Sequence, residues 1–221
     1  MIQNKKNMIL GIAFILQFIT SFTNGVFIKP LWYVNHDMHN TLLMIAKNPS
    51  IFRLNILLDV LTALGVIFLG AILYNSLKDV NKNIALTAFG LYVLEGTLLA
   101  ASKIESFSIL QISQEYSKSG FSSDLLFLAD ISYNSMEFVG SSLHMLAFCI
   151  GAIMFYYLLF RSSIIPKWLS LWGLLSLMPL LVGTMAMIFG TSIPFIFYVP
   201  YVPFELFIGL FILTKGLTPV N

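Results

Sequence analysis

Asp130–Arg161 reads DISYNSMEFVGSSLHMLAFCIGAIMFYYLLFR. The stretch holds no Pro, and no Lys or Arg before its last residue, so it predicts one long helix. Its polar residues Asp130, Tyr133, Asn134, Glu137, Ser141 and His144 recur at helical spacing and share one face. Past His144 the same face carries Phe148, Gly151 and Phe155. A helix that is polar on one face for half its length and apolar all round for the rest enters a membrane from one side. It takes ionisable groups down with it.

Composition carries the same message to the whole chain. Of 221 residues, 58% are hydrophobic and only 10% charged, and the mean hydropathy is +0.88. A soluble domain carries about 25% charged residues. A spanning helix needs roughly 20 apolar residues, which leaves room for about six spans and their loops. The expectation is an all-α, polytopic integral membrane helix bundle, one domain over residues 1–221, with no soluble domain of useful size. The net charge of +2 and the lack of a basic run exclude nucleic acid as a partner. Cys149 is the single cysteine, so no intramolecular disulfide forms.

The expected spans are 8–28, 54–77, 84–102, 136–160, 167–189 and 194–213. Residues 8–28 are long for a signal peptide and lack a small-x-small cleavage site, so they read as a retained span. Residues 29–53 and 103–123 read as polar connectors, and Ser50 as the cap of the second span. Within the first connector, His36-Asp37-x-His39 has ligand-like spacing but reads as a solvated turn. Ser122-Ser123-Asp124 opens the long helix, whose first part lies at or above the interface because the whole run exceeds one crossing. Pro194, Pro200 and Pro203 break the outer half of the sixth span, which a membrane tolerates only against protein or water. Lys and Arg fall seven to the segments on the N-terminal side and five to the opposite side, which places both termini in the cytoplasm.

Helical rise then fixes depth. Asp59 lies roughly 8 Å below the outer end of its span, Glu95 roughly 10 Å, His144 roughly 12 Å and Glu205 roughly 16 Å. Four spans thus put an acid or a His into one outer half, with no Lys or Arg at that depth. Intramembrane ionisable groups are costly and usually face a bundle interior or a cavity. Three carboxylates and an imidazole without a cation either hold protons or bind a cation. Asp59, Glu95, Glu205 and His144 are therefore the candidate cation, proton or divalent-metal site, since mixed oxygen and nitrogen ligands suit a zinc- or manganese-like ion. Glu137, Tyr201 and Arg53 are placed at the pocket mouth, with Arg53 partly offsetting Asp59. Each residue also has a structural role open to it: a local ion pair, a protonated acid on a backbone carbonyl, a packed histidine.

Phe52-Arg53-Leu54, Asp59, Leu77-Lys78-x-Val80-Asn81-Lys82-Asn83-x-Ala85, Glu95, His144, Ser163-x-x-Pro166 with Leu169 and Gly173, and Glu205 with Lys215-Gly216 form an ordered set. With these motifs the chain resembles a bacterial six-span membrane family described as domain-of-unknown-function family 4386. The resemblance covers most of the chain. It implies a six-span fold in a bacterial cytoplasmic membrane and no particular activity. Members often carry an Arg shortly before the acid of the third span. This chain has Tyr92 there, so that counter-ion for Glu95 is missing. The loop after the third span also departs from the pattern.

Three functions follow as expectations. The first is a membrane protein whose acidic, His-containing pocket opens outward and binds a cation, a proton or a small amphiphile, for transport or sensing. The second is an integral-membrane hydrolase, metal-dependent or not, in which His144 and a carboxylate activate water near the outer leaflet. The chain carries no HExxH, GxSxG or paired HxxxH motif, and nothing in it decides whether turnover occurs. The third is a structural or regulatory subunit, in which the four residues would point into different helix interfaces rather than one cavity. The bilayer is a partner in all three, and the oligomeric state is left open.

Overall fold

The computed structural model describes residues 2–191 and 193–217, with backbone alone for 2–7 and 195. Residues 1, 192 and 218–221 of the expected 1–221 domain lie outside the described residues. The described chain is helical, with no strand. Helix α1 is Ile2–Thr23 and runs on through a π turn (Asn24–Ile28) and a 3-10 turn (Lys29–Leu31). Then follow α2 (Met38–Lys47), α3 (Pro49–Leu77), α4 (Lys82–Lys118) and α5 (Ser123–Glu137). A second π turn (Phe138–Leu143) joins α5 to α6 (His144–Ser162), and α7 (Lys167–Ile188) and α8 (Tyr201–Lys215) complete the bundle.

Local chemistry sets the boundaries. The Asp37 carboxylate accepts the Asn40 N–H at 2.9 Å and opens α2. The Asn81 side-chain oxygen accepts the Ile84 N–H at 3.0 Å and opens α4. Both are N-caps that occupy donors a first turn leaves unbonded. Pro49 begins α3, because its missing N–H is one of those donors anyway. The third helix thus starts one residue before Ser50, which is not its cap.

Five stretches are long and apolar enough to cross a membrane: Met8–Leu31, Pro49–Leu77, Lys82–Lys118, Ser123–Ser162 and Lys167–Ile188. Their outer surfaces fit that role. On α3, Leu57, Leu61, Leu64 and Phe68 form an exposed apolar stripe at helical spacing. On α7, Leu171, Leu175, Met178, Val182 and Met185 do the same. The expected sixth span is represented by α8, which has 15 residues. Its helical rise gives about 22 Å, against roughly 30 Å for a hydrocarbon core. It packs along α1.

The two expected connectors are largely helix. Residues 103–118 continue α4, and 38–47 form α2, where the sequence predicted polar loops. At 37 residues, α4 is about 55 Å long, far beyond one crossing. Polar residues such as Glu105, Gln111 and Gln114 made the stretch look like a connector, but Ile109, Leu110, Ile112 and Tyr116 among them are buried. They pack with Trp32, Leu42, Ile45, Phe52, Ala129 and Met136 into a core at one end of the bundle. A second, larger core fills the other half, built on Leu10, Phe14, Leu73, Tyr92, Phe155, Tyr156, Phe204 and Ile208. Helix α4 is the axis of both, touching α2, α3, α5 and α6. It approaches α3 closely at Gly96, where a Cβ would lie 2.7 Å from the Ala63 carbonyl oxygen.

Candidate functional site

Between the two cores lies a cavity of about 320 Å³, at the small end of the range for ligand sites. Six helical segments line it, with α7 contributing only the apolar Leu180. Helix α1 and its π turn give Gln17, Ser21 and Asn24, and Lys29 follows. Helix α3 gives Asn55, Asp59 and Thr62, and α4 gives Glu95, Leu99 and Lys103. The α5–α6 junction gives Glu137, Ser141, His144 and Phe148, and α8 gives Tyr201 and Glu205. Asp59, Glu95, His144 and Glu205 are thus brought to one cavity, with Glu137 and Tyr201. Arg53 is not among the lining residues and its side chain is exposed. Six residues along a helix turn a side chain about 120° away, so Arg53 faces off the Asp59 side of α3.

The polar groups form two tiers. In the upper tier, Lys103 Nζ donates to Asp59 Oδ2 at 2.6 Å, and Asn24 Nδ2 donates to Asp59 Oδ1 at 2.6 Å. Asn24 Nδ2 also reaches the Asn55 carbonyl at 3.2 Å, while Trp32 Nε1 donates to Asn55 Oδ1 at 3.2 Å. Beside them Lys29 Nζ donates to Glu137 Oε1 at 2.8 Å, and Ser141 Oγ donates to Glu137 Oε2 at 3.0 Å. The Lys29 and Glu137 side chains are 34% and 32% exposed, against 10% for Lys103, so the Lys29–Glu137 pair marks the mouth.

These two lysines correct the expectation that no cation lies at this depth. Lys103 looked like the first residue of a loop. Because α4 continues past it, its long side chain stays inside the bundle and its charged end meets Asp59. Asp59 therefore has a lysine partner, not Arg53.

The lower tier is different. Glu95 is 4% exposed and Glu205 8% exposed, and neither has a cationic partner among the described residues. The Gln17 side chain hydrogen-bonds Glu205, and Glu95 lies within the field of the Glu205 carboxyl group. Tyr201 OH and Tyr156 OH are hydrogen-bonded at 3.0 Å in the wall beneath. His144 sits between the tiers, in the field of Lys103, Asp59 and Glu137. Among the described residues its Nδ1 has no hydrogen-bond partner, and the same holds for Glu95 Oε2 and Asn24 Oδ1.

Both π turns flank this cavity. A π turn carries an extra residue within a helix and is frequent at functional sites. The first places Asn24 and Gly25 in the wall, and the second Gly140 and Ser141. Gly140 is needed there, since a Cβ would lie 2.6 Å from Ser102 Oγ.

Chemically, the arrangement provides buried carboxylates and unmet acceptors. Among the described residues, no three His, Cys, Asp or Glu side chains come together so as to hold a metal ion. With His144 Nδ1 unbonded, no carboxylate orients it there as a general base. His39, from the ligand-like loop motif, bonds Tyr116 OH at 2.7 Å through Nδ1, and Asp37 is a helix cap. Sequence reasoning missed Lys29, Lys103, Asn24, Asn55, Gln17 and Trp32. A signal existed for part of this set, because Gln17, Ser21 and Asn24 step by four and three within an apolar run.

No curated protein and no solved structure matches the chain. A family does match, over residues 9–216. On that match the chain belongs to the family described as Domain of unknown function (DUF4386).

Proposed function

We propose that the chain is a six-span protein of a bacterial cytoplasmic membrane, one domain with both termini inside. In this view the acidic, His-containing cavity opens outward and binds a small cation, a proton or the charged head of a small amphiphile. Transport or sensing follows from that binding. Helix α8 with the turn before it serves as the sixth, interrupted span.

One observation carries the proposal. Asp59 and Glu137 each have a lysine, whereas Glu95 and Glu205 line the same cavity with none. By helical rise, Glu95 lies roughly 20 Å from the start of α4 and Glu205 roughly 15 Å from the end of α8. Two carboxylates at mid-bundle depth cost too much to remain charged and unpaired. They take up protons or a cation, and the cavity gives that cation a way in.

Trp32 lines the cavity and serves as the probe. Trp168 and Trp172 are replaced by Phe, and Trp32 emission is followed in detergent against pH, Na⁺ and small ammonium salts. A saturable change is expected in this background and is lost in Glu95→Gln and Glu205→Gln, with helical circular dichroism retained. A Trp32 signal indifferent to every cation and to pH, or variants that respond like the parent, would refute the proposal.

A further inference from the structure

The unmet groups of the cavity say more than its charge does. Its wall holds four carboxylates, from Asp59, Glu95, Glu137 and Glu205, against two lysine ammonium groups. Two carboxylates are in excess. Three buried polar atoms of the same wall lack a hydrogen-bond partner: Asn24 Oδ1, Glu95 Oε2 and His144 Nδ1. The three residues are 5%, 4% and 9% exposed.

Each of these atoms can accept. The orientation of Asn24 is fixed because its amide nitrogen already serves Asp59 and the Asn55 carbonyl. That leaves the oxygen, which only accepts. A carboxylate oxygen accepts, and so does His144 Nδ1 when the proton sits on Nε2. The complement to this wall is a positive charge that also brings several N–H donors. A quaternary ammonium brings charge without donors and is recognised by cages of aromatic faces. A divalent ion seeks several converging ligands, carboxylates above all, and no three His, Cys, Asp or Glu side chains converge among the described residues. A primary ammonium carries one charge and three donors. The protein already makes this pairing twice in the cavity, in Lys103 on Asp59 and Lys29 on Glu137.

We infer that the cavity recognises a primary ammonium group, seated against Glu95 with Asn24 and His144 as further acceptors in the wall above. This inference rests on the cation-binding function proposed above. The ammonium belongs either to a small free amine or to a lipid headgroup, and the chemistry of recognition is the same.

The test uses the full chain with Trp168 and Trp172 replaced by Phe, in phosphatidylcholine nanodiscs. Ethylammonium and tetramethylammonium chloride are titrated against Trp32 emission at constant ionic strength. A parallel set of nanodiscs contains phosphatidylethanolamine and no added amine. Hydrogen bonds to charged groups predict that ethylammonium binds about tenfold more tightly or better, and that Glu95→Gln removes most of this preference. If Glu95→Gln does not fold, the ratio between the two ions decides alone. A Trp32 change brought by phosphatidylethanolamine itself supports the headgroup as the source, and a change on adding ethylammonium to phosphatidylcholine discs supports a free amine. Equal or tighter binding of tetramethylammonium overturns the ammonium inference and leaves the cation-binding proposal standing. No response to either ion or to pH overturns both.

Discussion

Replacing Lys103 by Met should weaken the fold and strengthen the cavity's hold on cations. The Lys103–Asp59 contact is 2.6 Å long, and the two side chains are 10% and 20% exposed. Removing one partner of a buried pair costs about 3–5 kcal/mol, because the remaining charge is left uncompensated. Here the cost is reduced. Asp59 keeps the Asn24 amide at 2.6 Å, and its partial exposure lets solvent screen part of the charge. About 2–3 kcal/mol is the expected loss. Equilibrium unfolding in mixed micelles, followed by circular dichroism, measures it.

Asp59→Asn alone leaves Lys103 buried and unpaired, so it should cost a similar amount. The double variant Asp59→Asn/Lys103→Met removes both charges, and a coupling of about 2–3 kcal/mol should leave it no less stable than either single variant, well short of the sum of the two losses. The same Lys103→Met change adds a third unpaired carboxylate to the wall, so cation affinity should rise as stability falls. A loss under about 0.5 kcal/mol, the size of a surface pair, together with no coupling in the cycle, would show that Lys103 does not neutralise Asp59.

Two further outcomes are expected. Gly96→Ala places a Cβ 2.7 Å from the Ala63 carbonyl oxygen, a backbone atom that cannot swing away. It should cost about 1–3 kcal/mol by overpacking and move the neighbouring Glu95, so a thermal midpoint equal to wild type argues against so close an α3–α4 crossing. The Asn40 backbone N–H, and then the Asn40 side chain, hold the Asp37 carboxyl below its usual 3.8. A depressed folded-state value means that this cap stabilises the fold above about pH 4 and is lost as pH falls through the folded value. Asp37→Asn keeps a capping side chain without a titrating one, so it should flatten that acid dependence, as pH-resolved unfolding midpoints will register.

Glu95, His144, Glu205 and Asp59 line one cavity, and the sequence puts them at one level because hydropathy and helical rise are one-dimensional. Knowing where a span begins fixes how far down its tenth residue sits. Lys103 escaped the same treatment because it follows an apolar run, where a lysine normally announces the end of a span. What kept it inside was the continuation of α4 to Lys118. That continuation depends on α2 and α5 covering Ile109 and Tyr116, which is tertiary information. Arg53 differs for a related reason: it is near Asp59 in sequence but not in space, because six residues point elsewhere on a helix. Asn24 and Gln17 were legible as a polar stripe, but without a partner helix to face they carried no meaning.

The polar cavity is also a seam. Among the described residues, the core around Trp32, Ile109 and Tyr116 shares no buried apolar member with the core around Tyr92, Phe155 and Phe204. What ties them is the run of α3 and α4 through both and the hydrogen-bonded groups of the cavity wall. Two apolar nuclei joined through polar contacts form separable cooperative units, so local opening of one need not unfold the other. A ligand seated at the seam touches residues anchored in both, Trp32 on one side and Tyr201 on the other. Its binding energy is then shared between the units and makes them melt as one. A ligand at the proposed site would therefore be read out in the cooperativity of unfolding as well as in its affinity.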